Sequence, residues 1–200
     1  MRPNRLKVFQ ATGEAVIPIL GYFVFDWSLY FILLFYFIDL ISTEVFTYIK
    51  VNRIIKYQGI AFPFNQRYGG LVINSVIVLT LLSSVHVFIY FQQEGIDFME
   101  AISAFINYEE PGLPLPQGYI LLPLVVFGNY QQYKTFFIQT NAYKVLSWKK
   151  LMLSRRRALI LSLSGAFIAV GIVQFAVLPD LIYLVLILLF KFYIDVKKTP

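Results

Sequence analysis

The chain has no cysteine and a single histidine, His86, among its 200 residues. The first absence removes disulfides, iron–sulfur clusters, thiolate zinc sites and thiol nucleophiles together. One histidine cannot supply the paired axial ligands of a membrane haem or a histidine-rich metal site. Charged residues are also scarce, at 14%. A membrane protease needs a serine in a nucleophile turn with histidine, a pair of aspartates in separate spans, or a metal motif, and none of these spacings appears. The doublet Glu109-Glu110 sits in a proline-rich stretch without the arginine and histidines that a glutamate-dependent protease uses. The sequence therefore offers no catalytic residue, no metal site and no cofactor site.

What it has in excess is apolar surface. At 58% hydrophobic and 18% aromatic, it carries more than one soluble core of this size can cover. Runs such as SLYFILLFYFI, GLVINSVIVLTLLSSVHVFIYF and LIYLVLILLF approach or reach the roughly 20 apolar residues that cross a hydrocarbon core about 30 Å thick. The alternation of a membrane β-barrel is missing. The expected fold is all-α: a polytopic membrane protein, a six-helix transmembrane bundle forming a single domain over residues 1–200. Apolar runs ending at charges, glycines and prolines place spans at about 12–25, 28–50, 71–91, 118–139, 158–178 and 181–195. Pro18 breaks the first, and the tight links FDWS and LPD make two hairpins. Between spans three and four, about 96–107 reads as an outer interfacial helix with Ile96, Met99, Ile102, Phe105 and Ile106 on one face. The following PGLPLP cannot continue a helix.

Orientation follows from Lys and Arg, which short loops retain in the cytoplasm. With six spans, Arg2, Arg5, Lys7, Arg53, Lys56, Arg67, Lys144, Lys149, Lys150, Arg155, Arg156, Arg157, Lys197 and Lys198 share one side. The other side holds Asp26, Glu94, Asp97, Glu100, Glu109, Glu110 and Asp180 and no base. Both termini are then cytoplasmic, and the N-terminal apolar run is retained because no small-x-small cleavage site follows it. Five spans, with the first segment lying in the interface, would put the N-terminal bases beside acidic loops. The net charge of +6 needs no nucleic acid. Anionic lipid against the cytoplasmic basic loops accounts for it, with SRRRA at 154–158 as a topology anchor.

A carboxylate facing lipid costs several kcal/mol, so intramembrane acids normally face protein or water. At about 1.5 Å of rise per residue, Asp39, Asn129 and Lys191 each lie roughly 15–16 Å below the outer end of their spans. These three form a candidate buried polar layer near the midplane. Glu44, Gln131, Gln132, Lys134 and Asp195 form a second polar layer, about five residues deeper. Asp39 and Glu44 are separated by about 140° around the helix and need different partners. The expected pairs are Asp39 with Lys191 and Glu44 with Lys134, the amides of GNYQQYK supplying hydrogen bonds. Snorkelling to the interface competes with this for Glu44, Lys134, Lys191 and Asp195, and a protonated, hydrogen-bonded acid competes for Asp39. His86, beside Ser83 and Ser84, reads as an interhelical hydrogen-bonder. In SLSGAFIAVG, Ser162 with Ala166 and Gly165 with Ala169 let another helix approach closely.

Both ends of the chain resemble a family of uncharacterised bacterial and archaeal multi-pass membrane proteins. The likeness is carried by Pro18, Gly21, Trp27, Tyr36, Phe37 and Asp39 in IPILGYFVFDW and LYFILLFYFID, and by Lys191 and Asp195 in KFYID. The family usually has Trp and Glu where this chain has Phe37 and Asp39. Because that family has no established activity, the resemblance implies only that the acid of span two and the lysine–aspartate pair of span six belong to one pattern. The functional expectation is a non-enzymatic protein of a bacterial or archaeal cytoplasmic membrane, an accessory or scaffolding subunit that binds other membrane subunits or itself. The alternative is a small transporter or channel with a midplane site around Asp39, Lys191 and Asn129.

Overall fold

In the computed structural model the described residues are 3–60, 64–107 and 118–197; within these, the side chains of 3–11, 14, 64–67, 118, 120 and 195–197 lie outside the description. PGLPLP, Glu109-Glu110, Arg2 and Lys198 thus lie outside the described residues, as do the side chains of Arg5, Lys7, Arg67, Asp195 and Lys197. The helices are α1 (Pro3–Val24), α2 (Leu29–Gln58), α3 (Phe64–Gln92), α4 (Phe98–Asn107), α5 (Gly118–Gln132), α6 (Trp148–Phe175) and α7 (Asp180–Lys197). A π-helical turn, Tyr133–Ile138, prolongs α5, and a 3₁₀ turn, Ala142–Lys144, leads to α6. Among the described residues there is no strand. Three helices are long and apolar enough to cross a membrane: Leu29–Gln58, Tyr68–Gln92 and Trp148–Phe175. Ala15–Val24 and Phe98–Asn107 are shorter apolar helices.

Helix α2 is the axis. Ser28 caps its start, its Oγ accepting from the Phe31 amide, and Gly59 ends it in the left-handed region at φ 62°. The seven consecutive residues Leu29–Phe35 are all buried, so this half of the helix is covered on every side. α4 covers part of it: Phe105 stacks edge-on against Phe31 and Phe98 against Tyr30. The apolar face expected over 96–107 is therefore turned largely onto α2 and α5, with Phe105 buried, while Met99 stays exposed. The Asp97 carboxylate caps α4 by accepting from the Met99 and Glu100 amides.

Several helices outlast the apolar runs that define them. α6 begins at Trp148, so Lys149, Lys150 and Arg155–Arg157 are helical residues, not loop residues as their charge suggested. Pro18 does not break α1; it is buried within it. The α6–α7 turn is fixed by Gln92 of α3, whose Nε2 donates to the Leu178 carbonyl and to Asp180 Oδ1. Gly165 of the small-residue stretch packs against the Phe190 ring of α7, where a Cβ would meet Cε1 at 2.9 Å. α3 and α6 run closely side by side, and Gly70 leaves room there for Met152.

The α1–α2 turn depends on a missing side chain. Asp26 adopts φ 50°, the amides of Phe25 and Trp27 both donate to the Gly21 carbonyl, and the buried Trp27 indole lies against Gly21. A Cβ on Gly21 would overlap that indole. Gly21→Ala should therefore lower stability by about 1–3 kcal/mol, as overpacking does. The measurement is thermal unfolding in detergent, and Gly13→Ala, where a Cβ meets nothing within 4 Å, is the control expected to change little.

Candidate functional site

The two acids of α2 point to opposite flanks. Asp39 faces α5 and α7. Its Oδ1 accepts from Asn129 Nδ2 at 3.0 Å, and its Oδ2 lies 3.4 Å from Lys191 Nζ. Thr43, one turn on, donates to Asn129 Oδ1 at 3.1 Å, which fixes the direction of the amide between the hydroxyl and the carboxylate. Lys191 also lies 5.4 Å from the centre of the Tyr36 ring, a cation–π contact. Asp39, Asn129 and Lys191 are thus in one cluster, held by three helices.

This cluster is not closed. The Asp39 and Lys191 side chains keep 25% and 22% exposure, and a cavity of about 90 Å³ adjoins them, against roughly 15 Å³ needed for one water. Ile17 of α1, Phe35 and Tyr36 of α2, and Leu124, Gly128 and Gln132 of α5 are among its walls. It lies where, among the described residues, α5 does not pack closely against α1 or α7. The result is a lateral crevice floored by an ion pair. α5 itself is irregular on both sides of Asn129, with Pro123 inside the helix before it and the π-helical turn after it.

Glu44 faces α3 and α6. Its Oε2 takes Arg155 Nε at 2.7 Å and its Oε1 takes Asn74 Nδ2 at 3.2 Å. Arg155 Nη2 also reaches the Leu40 carbonyl. Arg156 donates through Nε to Asn74 Oδ1 and through Nη2 to the Gly70 carbonyl. Glu44, Asn74 and Arg155 are all buried.

The expected Glu44–Lys134 pair therefore does not form. α5 packs on the Asp39 side of α2, where Tyr130 and Tyr133 meet the Phe46 ring, and Lys134 stays exposed on that flank. The second layer separates accordingly. Gln132 lines the Asp39 crevice, Gln131 is half-buried on α5, and among the members with described side chains only Glu44 enters the arginine cluster. Arg155, Arg156 and Asn74 were missed as site residues. A signal existed: three successive arginines point about 100° apart on a helix, so a helix with neighbours must turn some of them inward.

His86 of α3 contacts Tyr30 of α2. Its Nδ1 lies 2.7 Å from the Leu82 carbonyl, which can only accept, so Nδ1 donates there, and Nε2 lies 3.1 Å from the Tyr30 hydroxyl. Phe37 stacks on the ring and Phe98 flanks it, a packed interhelical contact.

The ion pairs predict two couplings. Arg155→Ala should cost about 3–5 kcal/mol by leaving Glu44 charged and buried, whereas replacing Glu44 and Arg155 together by Gln and Met should cost less. Lys191→Ala should likewise lower the melting temperature in detergent more than Asp39→Ala with Lys191→Ala; additive losses in either cycle would contradict the pairing. Comparison of the chain with family models, with curated proteins and with solved structures finds no match.

Proposed function

We propose that the chain is a six-span, non-enzymatic integral membrane protein of a bacterial or archaeal cytoplasmic membrane, with both termini in the cytoplasm, acting as an accessory or scaffolding subunit of a larger membrane assembly. α5 with its π-helical turn and α7 each measure about 27–31 Å by the rise per residue, close to the hydrocarbon thickness, which supports six crossings. The asymmetric distribution of bases supports the orientation.

One observation carries the functional reading: the lateral crevice. It leaves the Asp39–Lys191 pair partly uncovered at hydrocarbon depth, where lipid tails offer no compensating hydrogen bond. A helix from another subunit, seated between α5 and α7, would cover the pair and close the bundle. Gly128 provides the test, because it is exposed in the crevice and a Cβ there meets nothing within 4 Å. Gly128→Leu should leave the melting temperature of the isolated chain nearly unchanged while removing a larger membrane protein that co-purifies stoichiometrically with the unaltered chain from native membranes. A chain that purifies alone whether or not Gly128 is replaced would refute the reading.

The irregularity of α5 favours a second reading, transport. Broken helices beside a midplane cavity are how many carriers build their sites. A purified, reconstituted chain whose solute or proton flux is abolished by Asp39→Asn would establish it in place of the first.

A further inference from the structure

The Gly59 end of α2 carries cations that neither ion-pair cluster uses. Arg53 and Lys144 both approach the ring of Tyr143, Arg53 Cζ at 5.3 Å and Lys144 Nζ at 5.9 Å from its centre. Tyr57 packs edge-on against the same ring at 5.1 Å, and the Tyr143 hydroxyl donates to Asn141 Oδ1 in a turn where Asn141 has φ 54°. Gln58 Nε2 donates to the Leu146 carbonyl and ties this turn to α2. The platform is therefore anchored, yet Arg53, Tyr57 and Lys144 are exposed.

No described carboxylate is left for these cations. Glu44 is taken by Arg155 and Asp39 by Lys191, while Asp26, Glu94, Asp97, Glu100 and Asp180 lie at the other ends of the helices. Two like charges sharing one ring repel, and an anion between them relieves that repulsion. Depth identifies the source of the anion. With Leu29 at one edge of the hydrocarbon, Arg53 lies about 36 Å along the axis, past a core of about 30 Å and inside the headgroup layer beyond it.

The surface below Arg53 is apolar. Ile41, Val45, Ile49, Arg53 and Tyr57 recur every fourth residue on α2, all five exposed, in a row that turns by about 40° around the helix at each step. This stripe runs about 18 Å from Arg53 toward the midplane, close to the reach of one acyl chain. We propose that Arg53 and Lys144, on the Tyr143 platform, bind the phosphate of one anionic phospholipid whose acyl chain lies along Ile49, Val45 and Ile41. Arginine offers a planar fork for two phosphate oxygens, and tyrosines suit the interface.

The inference rests on the membrane reading above, but not on the crevice. The test is native mass spectrometry of the full chain released from micelles containing phosphatidylglycerol and phosphatidylcholine in equal amounts. One phosphatidylglycerol should be retained in preference, and Arg53→Gln with Lys144→Gln should lower its retention by on the order of tenfold. Arg157→Gln, which removes an exposed base of α6, should leave retention nearly unchanged, and Ile49→Asn should weaken it. Equal losses in Arg157→Gln would mean diffuse attraction and overturn the site. So would displacement of the lipid by inorganic phosphate, or unchanged retention in the double variant. The accessory-subunit reading fails by a different signal, a chain that purifies alone whether or not Gly128 is replaced, so the two outcomes are separable.

Discussion

A carboxylate placed where water cannot hydrate it must find a cation or hydrogen-bond donors, and α2 imposes that requirement twice. Asp39 and Glu44 lie about 140° apart around one helix, so no single neighbour can satisfy both. α5 and α7 answer Asp39, and α3 and α6 answer Glu44. The directions of these two side chains thus decide which helices flank α2 and on which side. Apolar contacts alone would not, because in lipid an apolar helix face is nearly as well covered by acyl chains as by another helix.

The upper half of α2 follows a different rule. From Leu29 to Phe35 it is buried all round; Phe31 joins Trp27 of the α1–α2 turn to Phe105 of α4, and Tyr30 meets Phe98 of α4 separately. Here the polar atoms are few: the Tyr30 hydroxyl pairs with His86 of α3, and the buried Trp27 Nε1 has no hydrogen-bond partner. Aromatic packing holds the Ser28 end; ion pairs and amides hold the middle; exposed bases and tyrosines occupy the Gly59 end.

Much of this was legible in the sequence. The apolar runs located three membrane-long helices, and counting residues from the helix ends put Asp39, Asn129 and Lys191 at one depth, because rise per residue is fixed by backbone hydrogen bonding. Rotation about the axis is not fixed in that way. Glu44 shares a depth with Lys134 as well, yet α5 packs on the other flank, and its true partners come from α3 and from a basic stretch read as loop. Helix ends were underestimated for a related reason: apolarity reports where the hydrocarbon ends, and α2, α3 and α6 continue past it, supported by contacts with each other. Pro18 misled because a proline need not end a helix whose neighbours accommodate it.

The two acid clusters differ in a way that bears on function. Around Glu44 both carboxylate oxygens have a partner, and Asn74 and Arg155 are buried. Such a closed network resists change: removing any member strands another charge or amide in a place that cannot hydrate it. Around Asp39 the ion pair is longer, both side chains are partly exposed, and a crevice reaches them. A chain that needed Asp39 only for its own folding would gain by closing α5 onto α7, as it closes α3 onto α6. Leaving that seam open gives up packing on the very flank where the charge is hardest to cover. The expense is offset if something outside this chain completes the seam, which is why the proposed partner is sought at Asp39 and not at the tighter, more deeply buried Glu44.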